Sequence, residues 1–102
     1  MTKYTIFIGL NDKNTKAQEI STLDAYKIAS NLAVVNLGFA TITESKGVYT
    51  HDDGSIVEES TLRCEVTNAK LENVKAFCVA CKDAFNQESV ALEVSKVDFS
   101  FI

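Results

Sequence analysis

The sequence predicts an α+β domain: a four-stranded antiparallel sheet with two helices on one face, in the ferredoxin-like order β-α-β-β-α-β. Three observations lead there. Two segments, near 22–37 and 69–85, repeat apolar residues at helical spacing. A long alternating hairpin lies between them, turned at Asp52-Asp53-Gly54-Ser55. Alternating apolar stretches open and close the chain. At 102 residues the whole chain, 1–102, reads as a single domain.

The first strand covers Lys3 to Leu10, with Tyr4, Ile6 and Ile8 on one face and Phe7 and Gly9 on the other. The polar loop Asn11 to Lys16 follows; its length suggests a mobile or ligand-facing segment. The first helix is expected over Thr22–Leu37. Ser21 stands as N-cap with Asp24 three residues on, and Gly38 suits the left-handed residue that closes a helix. Its apolar face is read as Ala25, Tyr26, Ile28, Ala29, Leu32 and Val35. In the hairpin, Gly47 suggests a bulge in the outgoing strand. On the return strand, Ile56 to Thr67, residues Leu62, Cys64 and Val66 face one way and Thr61, Arg63 and Glu65 the other. The second helix is expected over Ala69–Phe85, capped by Asn68, with Leu71, Val74, Cys78, Cys81 and Phe85 as its stripe and Phe77 beside them. In Ser89–Ile102 the alternation changes phase between Val94 and Val97. That predicts a bulge or tight turn near Ser95-Lys96, and two short strands as an alternative to one.

Composition narrows the function classes. A hydrophobic fraction of 46% excludes intrinsic disorder. Ten basic against fourteen acidic residues, net −4, argue against a nucleic-acid polymer as partner. No stretch approaches a membrane span, and the opening residues read as a strand rather than an export signal, so the expectation is a cytoplasmic protein without a membrane partner. Cys64, Cys78 and Cys81 are an odd set, which makes a poor disulfide framework. Cys78 and Cys81 are spaced C-x-x-C, but they fall mid-helix on the apolar stripe and read as small core residues, not as a redox pair or zinc site. No cofactor and no metal site are expected. There is no phosphate-binding glycine loop and no nucleophile elbow.

The densest set of functional side chains runs from Tyr49 to Glu59. His51 is the only histidine and a candidate for acid–base catalysis, although with Asp52 and Asp53 it also makes good turn chemistry. Glu59, Thr61 and Arg63 alternate along one strand and form a polar row on the face opposite Leu62 and Cys64. Such a row on the uncovered face either pairs ions across strands or meets a polar ligand, with Arg63 set for an anion. The candidate ligand-binding residues are therefore Tyr49, His51, Asp53, Glu59, Thr61 and Arg63.

Three segments together carry a resemblance. They are Gly47-x-Tyr49-x-x-x-Asp53-Gly54-x-Ile56-x-x-Glu59-x-Thr61, the strand end Phe7-Ile8-Gly9-Leu10, and Phe85-Asn86-Gln87-Glu88-Ser89-Val90. In order and spacing they resemble an uncharacterised family of small bacterial domains. Tyr49 stands where that family's Trp is expected, and Thr61 where its Ser is. The resemblance implies architecture and no particular chemistry. The expectation is a small non-catalytic homo-oligomer, of the kind phages and bacteria use as accessory proteins. It would bind or sequester a small polar or anionic ligand, for example a signalling nucleotide, between subunits. The alternatives are a dimeric α/β-barrel-type enzyme using His51 or Glu59 as acid or base, and a module that binds only protein.

Overall fold

A computed structural model describes every residue from Met1 to Ile102. The elements are β1 (Thr2–Gly9), α1 (Thr22–Leu37), β2 (Thr41–Thr50), β3 (Ile56–Thr67), α2 (Leu71–Ala84) and β4 (Ala91–Lys96). The strands form one antiparallel sheet in the order β2-β3-β1-β4. This is the α+β, ferredoxin-like arrangement the sequence predicts.

Strand alternation decides which side is buried. Tyr4, Ile6 and Ile8 of β1 stand beside Val66, Cys64 and Leu62 of β3, and the two helices cover them. Helix α1 contributes Ala25, Ala29 and Ala33, each four residues from the next; their small side chains let it lie close to the sheet. Helix α2 contributes Val74, Phe77 and Cys81, with Phe85 just beyond its end. Burying a side chain such as Phe77 is worth about 2–3 kcal/mol. The same burial pushes the Cys64 and Cys81 thiols up to about 12 and raises that of Cys78, so all three are packing residues rather than nucleophiles.

The caps of α1 form as the sequence dictates. The Asp24 backbone N–H donates to Ser21 Oγ at 3.1 Å, and Gly38 closes the helix at φ 84°.

Four expectations are corrected. Tyr26 and Val35 are not on the buried face of α1: they are 42% and 81% exposed, because the face rotates onto the alanines. Helix α2 begins at Leu71 and not Ala69. Asn68 turns the chain at φ 65° instead of capping it, and Lys70 holds the cap position with no side-chain bond. Gly47 makes no bulge, since the β2–β3 register is unbroken from Thr41↔Glu65 to Thr50↔Ile56. Residues 89–102 hold one strand without a bulge: β4 keeps one register with β1 and ends at Lys96. The change of phase is the end of pairing. After Val97, whose N–H donates to the Met1 carbonyl at 2.9 Å, the chain leaves the sheet, and Phe99 and Phe101 pack edge to face at 5.1 Å.

Candidate functional site

The face of the sheet away from the helices carries Phe7 and Gly9 of β1, Glu59, Thr61, Arg63 and Glu65 of β3, and Tyr49 of β2. At the end where β1 stops, three segments rise around it: the loop after β1, the end of the β2–β3 hairpin, and the link from α2 to β4. They enclose an open cleft of about 440 Å³, within the usual range for a small-molecule site. Phe7, Gly9, Glu59 and Thr61 form its floor. Asn11, Asp12, Lys13 and Lys16 make one wall, Tyr49, His51 and Val57 a second, and Gln87, Glu88, Ser89 and Ala91 a third.

Two glycines shape the floor. Gly47 lies opposite Glu59, and Gly9 opposite Thr61. With no side chain at Gly9, the Glu59 carboxylate lies down across β1. A Cβ on Gly9 would stand 2.6 Å from Cδ and from both carboxylate oxygens. The backbone N–H of Asn11 donates to Glu59 Oε2 at 2.8 Å. Oε1 accepts from no protein group, so a fixed carboxylate lining the cleft keeps one oxygen without a protein partner.

The first wall is tied to the third. Asp12 Oδ1 accepts from the N–H groups of Asn14 and Thr15, and Oδ2 from Asn86 Nδ2 at 3.0 Å. These bonds, that from Asn86 foremost and then those from Thr15 and Asn14, hold the Asp12 carboxyl below its ordinary pKa. Gln87 Nε2 donates to the Asn11 carbonyl at 2.7 Å. On the second wall the rings of Tyr49 and His51 meet edge to face at 5.5 Å.

Of the six residues singled out in the sequence, Tyr49, His51, Glu59 and Thr61 meet in this cleft. Asp53 does not line it; at the hairpin tip it accepts from the Ser55 N–H and hydroxyl at 2.9 and 2.6 Å. Arg63 does not line it either. Its guanidinium pairs with Glu65 at 2.9 Å and lies over the Phe7 ring at 5.7 Å. Gln87, Glu88 and Lys16 do not stand out as individual residues in the sequence, although the loop after β1 and the Phe85–Val90 segment do. No three His, Cys, Asp or Glu side chains gather anywhere to hold a metal ion.

No family model and no curated protein matches the chain. Solved structures do. A phage S-adenosylmethionine (SAM) lyase in complex with S-methyl-5'-thioadenosine superposes with a TM-score of 0.68 at 24% identity, over 93% of this chain and 80% of that one. The periplasmic divalent cation tolerance protein CutA from Archaeoglobus fulgidus follows at 0.60 and 14%, over 99% and 88%. CutA1 from Oryza sativa gives 0.61 and 10%, over 99% and 84%. At these identities the likeness establishes a shared fold. No helix is long and apolar enough to cross a membrane.

Proposed function

We propose that the cleft binds an adenosine-type nucleoside bearing a sulfonium side chain, S-adenosylmethionine or a close analogue, and releases S-methyl-5'-thioadenosine from it. The observation that carries this reading is the Glu59 carboxylate, fixed across Gly9 in the lining of the cleft with Oε1 free of any protein partner. A carboxylate held this way accepts hydrogen bonds from a ribose diol and faces a cation favourably. The other groups suit the rest of such a ligand. Phe7 and Tyr49 offer aromatic surface to a base or a sulfonium. Lys13, Lys16 and Glu88 offer both signs of charge to an amino acid. The fold likeness to the phage SAM lyase spans nearly the whole chain and supports the same choice of ligand.

Release of the thioether breaks the bond between sulfur and the amino-acid chain, and the electron pair of that bond goes to sulfur. The carbon left behind is closed by the ligand's own carboxylate, giving a lactone. Atoms and charge balance without water, metal or redox partner. The protein's part is to bind, orient and exclude water. This makes Glu59 a binding residue and leaves His51 without a required proton transfer.

The cleft is open along one side. We read the working form as a homo-oligomer in which a second copy closes it, in a reducing compartment such as the cytoplasm, where three free cysteines persist. Two measurements test the reading. The purified protein is incubated with S-adenosylmethionine and the products are resolved by mass spectrometry, and S-methyl-5'-thioadenosine is titrated in a calorimeter. We expect turnover to the thioether and saturable binding, both lost in Glu59→Ala with an unchanged circular dichroism spectrum. Binding of neither compound by the wild-type protein overturns the proposal. Binding without turnover restricts it to sequestration.

A further inference from the structure

The first wall of the cleft is built more rigidly than an exposed loop requires. Asp12 gathers three donors, two from its own loop and one from Asn86, 74 residues away in sequence. The Lys13 N–H donates back to the Asn86 carbonyl at 3.0 Å, and Gln87 Nε2 reaches the Asn11 carbonyl. The Lys16 N–H closes on the Asp12 carbonyl at 2.8 Å. Both ends of this clasp hold non-glycine residues in the left-handed region: Lys16 at φ 62° and Asn86 at φ 48°. That conformation costs about 1 kcal/mol or more per residue and persists only where surrounding bonds fix it. The result places two lysines, Lys13 and Lys16, in the lining of the cleft that also holds Tyr49 and His51.

We propose that the Asp12–Asn86 clasp is a specificity device, with Asp12 and Asn86 as positioning residues that set Lys13 and Lys16 to receive the α-carboxylate of the substrate's amino-acid half. The inference rests on the proposed function and adds which end of the ligand each wall reads. Glu59 on the floor meets the nucleoside, which substrate and product share. The lysine wall meets a carboxylate that S-methyl-5'-thioadenosine lacks. The clasp therefore favours substrate over product, so the thioether leaves once the bond is broken.

A swap of the two clasp residues gives the test. Asn86→Asp sets two carboxylates against each other, and Asp tolerates the left-handed backbone nearly as well as Asn. Adding Asp12→Asn restores one donor and one acceptor with the direction of the bond reversed. We expect Asn86→Asp to raise KM for S-adenosylmethionine about tenfold, with a much smaller fall in kcat and S-methyl-5'-thioadenosine affinity unchanged. The double variant should recover most of the loss. Lys13→Ala with Lys16→Ala should reproduce the single variant, and wild type should bind decarboxylated S-adenosylmethionine about tenfold more weakly than the parent compound. An unchanged KM in Asn86→Asp, an equal loss of thioether affinity, or no recovery in the swap overturns the inference while leaving the nucleoside site intact. Failure of the wild-type protein to bind either compound instead removes the reading beneath it.

Discussion

The carboxylate of Glu59 occupies the space above the α-carbon of Gly9 that any other residue's side chain would fill. These residues are fifty apart in sequence, on adjacent strands, and each explains the other. Gly9 is glycine because Glu59 lies there. Glu59 is fixed because Asn11, two residues past Gly9, donates its N–H to it.

Gly9→Ala therefore separates stability from binding. Glu59 meets the new methyl group with the far end of a flexible side chain, which can swing away. The cost is the bond from Asn11, about 1 kcal/mol. The midpoint of urea unfolding should shift little, whereas affinity for S-methyl-5'-thioadenosine should fall at least about tenfold, because the carboxylate is no longer held in place in the cleft lining. Gly9→Ala in a Glu59→Ala background should add no further loss of binding, as expected for two residues acting through one contact. Full additivity of the two losses would show that the glycine acts elsewhere.

Arg63 gives the opposite expectation. It shares a face with Glu59 and Thr61, which made it a candidate anion-binding residue in the sequence. Its guanidinium is instead paired with Glu65 and laid over the ring of Phe7, and neither Arg63 nor Glu65 lines the cleft. A half-exposed ion pair and a surface cation–π contact are each worth about 1 kcal/mol or less. Arg63→Ala should lower stability by no more than that sum and leave nucleoside affinity within about twofold by calorimetry. A larger loss of affinity would place Arg63 in the site.

How much could be read beforehand followed from the range of the forces involved. Local rules placed α1 to the residue, because Ser21 and Gly38 act within one turn of its ends. They failed at α2, where Asn68 is a good capping type but the chain needs it at positive φ to leave β3. Gly47 and Gly9 look alike in sequence, as glycines that interrupt a strand. One invites a bulge and the other reads only as a face position and part of a strand-end motif, because the partners that explain them are on neighbouring strands. The floor of the cleft was half legible, since alternation alone puts Glu59 and Thr61 on one face. Its walls were not. Lys16, Gln87 and Glu88 come to Tyr49 through loop conformations that carry no periodic signal.

The three thiols make a prediction about pH. In the unfolded chain they ionise near 9.0; in the folded protein burial keeps Cys64 and Cys81 protonated up to about 12. Between those values the unfolded chain has released protons that the folded chain retains. Stability must therefore fall as pH rises through that window, by at most about 1.4 kcal/mol per pH unit for each buried thiol. Urea midpoints measured from pH 8 to 10.5 should decline, and Cys64→Ala with Cys81→Ala should flatten the slope even though the protein is less stable overall. In the native state at pH 8, a thiol reagent should label at most the half-buried Cys78. Rapid labelling of all three would show that Cys64 and Cys81 are not buried in the core.

The start of α2 offers a gain. Lys70 holds the cap position with extended backbone, φ −76° and ψ 135°, the geometry in which a short polar side chain accepts from the first turn. Lysine has no acceptor there, and its positive charge sits at the positive end of the helix dipole. Lys70→Asp corrects both at once: the carboxylate accepts from the free N–H groups, and the charge near the dipole changes sign. The two effects should add about 1–2 kcal/mol to stability, which for a domain of this size raises Tm by roughly 4–10 °C. Lys70 is exposed and lies outside the cleft, so nucleoside binding should not change. Lys70→Ser keeps the cap and only removes the charge, and should give a smaller gain, measurable as the difference between the two melting curves. If Asp and Ser stabilise equally, a negative charge adds nothing at this end beyond the side-chain acceptor and the loss of the lysine's positive charge.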